Sequence, residues 1–181
     1  MLRRGALLIL IASLLLASCG KQGAGRVDPA DYDTFFLWAG VRPPPLLDRA
    51  KEVYVLAGEV RARDNGRIVS LRPQVPRVRH AAIWLVVRVE RIDWQERAIS
   101  QLLRDVARWR AAGNRLQGVQ IDFDAATQGL DRYAGFLGKL RQRLPPGCRL
   151  SVTGLMDWSA HGEPAALARL AGTVDEIVIQ T

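Results

Sequence analysis

Gln120, Asp122 and Asp124 occupy every second position of "GVQIDFDA", residues 118–125, with Val119, Ile121 and Phe123 between them. Side chains alternate across a strand, so the three polar groups share one face and the three apolar groups the other. Two carboxyls so close raise each other's pKa, because each disfavours its neighbour's charge. With Gln120 they make an expensive cluster for a core that does nothing but pack, and such clusters gather where chemistry is done. Two other readings stand beside it. Arg88 shares a parity with Glu90 in "AAIWLVVRVE" and could hold Asp122 as a structural ion pair, since buried charges are kept when paired. An Asp-x-Asp pair also suits a divalent cation, but no histidine lies nearby in sequence, so no metal site is assigned. His80 and His161 stand alone and receive no role.

The elements that must position these residues follow from periodicity. "TFFLWAGV" (34–41), "EVYVLAGEV" (52–60) and "AAIWLVVRVE" (81–90) read as strands, and Asp64-Asn65-Gly66 is turn chemistry that makes a hairpin with "RIVSLRP". A helix follows. Asp93 can cap it, with Glu96 completing a capping box, and Ile99, Leu102, Leu103 and Val106 form its apolar stripe up to Gly113-Asn114. "GVQIDFD" is the fourth main strand. The next helix carries Leu130, Tyr133, Leu137, Leu140 and Leu144 on one face and stops at Pro145-Pro146. "RLSVTGLMDW" (149–158), "EPAALARLAG" and "DEIVIQT" supply a fifth strand, a short helix and a sixth strand.

Strands alternating with helices of this length predict βα units on a parallel sheet. No Gly-rich phosphate loop follows an early strand, which excludes the nucleotide-binding version of the open sheet, and no cofactor is expected. Polar residues gather at the C-terminal strand ends: Glu90, Asp122, Asp124, Asp157 just past the fifth strand, and Gln180 on the sixth. Functional groups project from those ends in a (β/α) TIM-barrel. The expected fold is therefore α/β and TIM-barrel-like, with about six strands. A full barrel takes about 250 residues, so the chain is expected to be incomplete, truncated at its C-terminus with an open edge at the sixth strand. Trp158, in "MDWSAHG", reads equally well as a sugar-stacking platform or as packing at the rim.

The chain has 181 residues, 49% hydrophobic and 24% charged, ordinary for one globular domain. Its first eighteen residues differ. Arg3 and Arg4 precede the apolar run "GALLILIASLLLA", which is shorter than the span of about 20 residues a membrane helix needs. They read as a secretory leader, residues 1–18. Leu16-Ala17-Ser18-Cys19 resembles the lipobox of bacterial lipoproteins, in which the cysteine is acylated, as by palmitate; Gly20 after it resembles outer-membrane sorting. Residues 19–31 are then the lipidated Cys19 and a Gly-rich tether, and residues 32–181 the barrel domain. Loss of the leader takes the formal charge from +8 to +6. The arginines are scattered, with no basic block and no nucleic-acid motif, so no nucleic-acid partner is expected. Cys148 remains as a lone thiol, read as a small buried hydrophobe.

The order "AIWLVVRVE", "GVQIDFDA", "RLSVTGLMDWS" and "VDEIVIQT" resembles a bacterial family known as a domain of unknown function, DUF3142. That family is distantly similar to the glycoside hydrolase family 18 barrels, whose fourth strand ends Asp-Gly-hydrophobic-Asp-hydrophobic-Asp-aromatic-Glu. On that pattern Gln117 and Gln120 replace the first two aspartates, Asp122 matches the third, and Asp124 stands for the glutamate that protonates the leaving oxygen. The resemblance implies an envelope protein acting on a carbohydrate, with Asp124 as general acid/base and Asp122 as its electrostatic partner. Gln120, Glu90, Arg88, Asp157, Trp158 and Gln180 are then the residues expected to contact substrate. The alternative is a non-catalytic barrel that binds a glycan or an envelope protein.

Overall fold

The computed structural model describes residues 27–72 and 74–180; the leader, Cys19 and most of the tether lie outside them. Pro29–Asp31 forms a 3-10 turn. The body that carries the site begins at Tyr32. Its strands are β1 (Thr34–Leu37), β2 (Glu52–Arg61), β3 (Asp64–Ser70), β4 (Ala82–Val89), β5 (Arg115–Asp122), β6 (Arg149–Leu155) and β7 (Glu176–Gln180). Its helices are α1 (Glu96–Ala111), α2 (Leu130–Arg143), α3 (Asp157–His161) and α4 (Pro164–Ala171). No helix among the described residues is long and apolar enough to cross a membrane.

Six strands pair in parallel in the order β1-β2-β4-β5-β6-β7, and β3 folds back antiparallel on β2. Each new parallel strand is added on the same side, with none of the order reversal that defines a doubly wound sheet. The layering gives the same answer. Leu102, Val106 and Trp109 of α1, Tyr133, Leu137 and Leu140 of α2, and Leu170 of α4 all join one core with Val53, Ile83, Val119, Ile121 and Val152 of the strands. The opposite face carries only a small cluster of Tyr54, Leu56, Trp84 and Val86, with no helix residue in it. Helices cover one face, as they do outside a barrel. The fold is an α/β partial barrel of TIM type with six parallel strands, as the alternation predicts.

Four local expectations are corrected. The hairpin turns at Ala62-Arg63, so Asp64-Asn65-Gly66 opens β3 instead of making the turn. Tertiary bonds hold it there: Asn65 Nδ2 donates to the Asp93 carbonyl (2.7 Å), Gln95 N–H to the Asn65 carbonyl (3.0 Å), and Arg97 Nε to the Gly66 carbonyl (3.0 Å). Asp93 does not cap α1. Its carboxylate pairs with Arg91, and the N-cap position falls on Gln95 without a side-chain bond. The first strand ends at Leu37. The fifth ends at Leu155, so Asp157 and Trp158 belong to α3.

Glycine sets two details of this frame. Gly113, at φ +83, ends α1 in a backbone conformation that L side chains rarely adopt. Gly118 lies in β5 between β4 and β6, where an added Cβ would sit 2.0 Å from the Arg149 carbonyl oxygen and 2.7 Å from the Trp84 ring.

Candidate functional site at the C-terminal strand ends

The register converts the alternation of β5 into layers across the inner face. Trp84, Gly118 and Arg149 stand side by side, then Val86, Gln120 and Ser151, then Arg88 beside Asp122. Thr153 on β6 pairs with Val178 on β7, and Leu155 with Gln180. At the lowest layer Phe36, Tyr54 and Trp84 stack in a row, with ring centroids 4.6 and 5.7 Å apart, and Arg149 lies 5.1 Å over Trp84. Glu52 accepts from Trp84 Nε1 (2.6 Å), and Glu176 accepts from the Tyr54 hydroxyl (2.8 Å). Burial and that carboxylate push the Tyr54 hydroxyl far above the ordinary phenol range.

A cavity of about 500 Å³ opens above these layers, at the C-terminal ends of the strands. Asp122, Asp124, Arg88, Thr153 and Gln180 form its polar wall. Phe36 and Trp38 form the aromatic wall, both exposed and with centroids 6.2 Å apart. Val89, Val178 and Ile179 complete it.

The two carboxyls of this mouth differ in kind. Asp122 is 7% exposed, and its Oδ1 accepts from the Thr153 hydroxyl (2.9 Å) and from Gln180 Nε2 (3.3 Å). Burial raises its pKa above the ordinary aspartate value. The Thr153 bond opposes that, the negative charge of Asp124 adds to it, and Arg88 and the Gln180 bond lower it. Asp124 lies two residues beyond the end of β5, exposed, and joins no ion pair among the described residues. The alternative reading of an Arg88–Asp122 ion pair is not met: the two are neighbours in register without a salt bridge among the described residues. Behind the strand, Tyr133 donates to the Ile121 carbonyl (3.3 Å) and fixes β5 against α2.

Gln120 is fully buried one layer below. Its Nε2 donates to Ser151 Oγ (3.0 Å), and its Oε1 has no hydrogen-bond partner among the described residues. The structure thus brings Asp122, Asp124, Arg88 and Gln180 to one mouth and places Gln120 beneath it. Three other expected residues lie elsewhere. Glu90 accepts from the Ala62 N–H (2.6 Å) and braces the β2–β3 turn. Asp157 bonds His161 on α3 (2.6 Å). Trp158 is 2% exposed, and its Nε1 donates to the Ala125 carbonyl (2.8 Å). It buttresses the loop that carries Asp124, so the aromatic wall comes from Phe36 and Trp38 instead. The parity of "TFFLW" was the available signal for that wall. No signal in the sequence marked Thr153, which meets Asp122 only through the β5–β6 register. No group of histidine, cysteine or carboxylate side chains among the described residues could hold a metal ion.

A partial (β/α) barrel with carboxyls at the C-terminal strand ends defines the class, and comparison with known proteins narrows it. The chain belongs to the family described as "Domain of unknown function (DUF3142)", whose model matches residues 72–181. No curated protein matches. Among solved structures it is similar to the spore cortex-lytic enzyme SleL of Bacillus cereus, at 15% identity and a TM-score of 0.59, over 83% of this chain and 41% of that one. It is also similar to the chitinase domain of the spore coat protein CotE of Clostridium difficile, at 11% identity and a TM-score of 0.50, over 87% and 51%. The likeness is one of fold, and this chain spans 41% of the first structure and 51% of the second.

Proposed function

We propose that this chain is a lipid-anchored cell-envelope protein whose barrel mouth acts on a carbohydrate. One observation carries the reading: a buried carboxyl and an exposed carboxyl line the same cavity, opposite a wall of two exposed aromatic rings. Sugar rings offer apolar faces that stack on aromatic side chains and hydroxyls that bond carboxylates. Asp124, at the open lip, is the general acid/base that reaches a glycosidic oxygen. Asp122 is its electrostatic partner, oriented by Thr153 and Gln180. Two carboxyls held in unlike environments are what glycoside cleavage uses, since one must keep a proton that the other has lost. Here it is the enclosed carboxyl, Asp122, whose pKa burial raises and which holds a proton more readily, while Asp124 stands exposed at the lip. The anchor rests on the lipobox at Cys19, and Gly20 after it favours the periplasmic face of the outer membrane over the inner one.

The test is turnover of a panel of envelope glycans by the full chain. Asp124→Asn should lower turnover by at least about 100-fold, the usual size of a general-acid contribution, while binding persists. Equal turnover by variant and parent would remove Asp124 from the chemistry. A second reading, glycan binding without cleavage, is favoured by Gln120: where the glycosidase pattern has a carboxylate this chain buries an amide bonded to Ser151. Binding without turnover by the parent would select it. For the anchor, labelled palmitate should enter the parent and not Cys19→Ser; equal labelling of both would exclude acylation at that residue.

A further inference from the structure

Because the six strands are parallel, their N-terminal ends all lie at the end of the barrel opposite the mouth. The loops entering β4, β5 and β6 meet there. Asn114 accepts from the Val78 N–H (3.0 Å) and donates to the Pro76 carbonyl (2.9 Å), which fixes the segment before β4 against the start of β5. The Arg77 guanidinium lies beside Gly113. Arg115 and Arg149 stand near the first positions of their strand pairings, and the charge of Arg110 is felt at Cys148, next to Arg149.

Five guanidiniums therefore share this end: Arg77, Arg79, Arg110, Arg115 and Arg149. None joins an ion pair among the described residues. Other cations of the same end are already neutralised, as Lys51 by Asp33 and Arg141 by Asp175. Of the carboxylates here, Glu52 and Glu176 are engaged with Trp84 and Tyr54 on the inner face, and Asp48 is the exposed exception. Arg77, Arg79, Arg115 and Arg149 are exposed and Arg110 is half-buried, with Arg149 also lying over the Trp84 ring; the first strand starts at Thr34 on this same end.

We propose that this strand-start end is a docking surface for anionic phospholipid headgroups. This orientation turns the mouth with Asp122 and Asp124 away from the bilayer. The choice of a lipid surface rests on the acylation of Cys19 proposed above. A Gly-rich stretch of the length of residues 20–31 has a typical end-to-end distance of about 20 Å and a full extension of about 40 Å. An acylated Cys19 would therefore keep the body within a few nanometres of the headgroups. Guanidiniums bind phosphate through forked hydrogen bonds and stay charged at every physiological pH. A basic surface beside an acyl chain supplies the second signal that firm anchoring needs.

The test uses the full chain with Cys19→Ser throughout, so acylation contributes nothing and its failure is read separately. Co-sedimentation is measured with vesicles of phosphatidylcholine alone and with vesicles holding about a third phosphatidylglycerol. The difference between the two cancels any uncharged contribution of the apolar N-terminal run. Arg79→Gln/Arg115→Gln should reduce the preference for anionic vesicles at least about tenfold, given the strength of one basic side chain at such a surface. Arg63→Gln/Arg132→Gln has the same net charge and removes cations from the hairpin turn and the first turn of α2, at the mouth end; it should leave the preference intact. High salt should abolish it. Equal loss in both double variants, or none in either, overturns the proposal. So does capture by a soluble polyphosphate, with the same arginine dependence, when anionic vesicles fail to bind.

Discussion

The two faces of the sheet are built from the same strands and obey opposite rules. The helix-covered face is apolar without interruption: Val119 and Ile121 of β5 and Leu150 and Val152 of β6 are all fully buried. The inner face alternates in kind from layer to layer, from stacked rings to Gln120 and Ser151 to the Arg88, Asp122 and Thr153 mouth. The first face is held by burial, and the few polar atoms in its core, such as the Tyr133 hydroxyl, are hydrogen-bonded. The second contains a buried amide oxygen without a partner among the described residues and a carboxyl whose burial works against its charge. Local rules broken without an evident stabilising return are expected at functional sites.

The contrast can be broken at its centre by Gly118→Ala. The new Cβ would meet the Arg149 backbone oxygen, which no side-chain movement can relieve, so the β5–β6 pairing must open. Loss of more than about 4 kcal/mol is expected, a size reserved for severe core disruption. A soluble variant with parental urea midpoint would show that the strands separate freely there. On the helix-covered face, Leu137→Ala empties a fully buried site and should cost about 2–5 kcal/mol, with glycan binding at the mouth preserved in the folded fraction. Chemical denaturation and a binding titration together check both halves.

The mouth should answer in the opposite direction. The folded-state pKa of Asp122 is raised, so its charged form is disfavoured by folding: stability falls as pH rises through that pKa and is regained below the ordinary aspartate value. Asp122→Asn keeps an acceptor for Thr153 and Gln180 and removes the charge. It should therefore stabilise the protein at pH 7 by about 1 kcal/mol, a common size for relieving a strained functional position. The gain should shrink as pH is lowered through the parent's Asp122 pKa. A variant less stable than the parent at pH 7 would mean that Asp122 is a satisfied structural carboxylate.

Alternation and helical stripes make both faces legible in the sequence. Val119, Ile121, Tyr133, Leu137 and Leu140 follow from periods of 2.0 and 3.6 residues, as does the shared parity of Gln120, Asp122 and Asp124. Those periods are properties of the backbone, present in any short window of sequence. Sequence reading fails where a residue's fate depends on a distant segment. Asp64-Asn65-Gly66 has the composition of a turn, yet the loop before α1 supplies its bonds and keeps it in a strand. Asp93 has the spacing of a cap and is taken by Arg91.

By itself, then, the sequence determined the class of fold, most of the buried stripes of α1 and α2 (Leu102 and Val106; Leu130, Tyr133, Leu137 and Leu140) and the shared face of the two candidate carboxyls, because each follows from local periodicity. The tertiary structure alone decided which groups surround those carboxyls. Thr153 and Gln180 reach Asp122 across 31 and 58 residues of chain, through registers set by packing between strands. The same packing turned Trp158 inward to Ala125 and left Phe36 and Trp38 at the opening. Side-chain parity is written in each strand, whereas register exists only between strands.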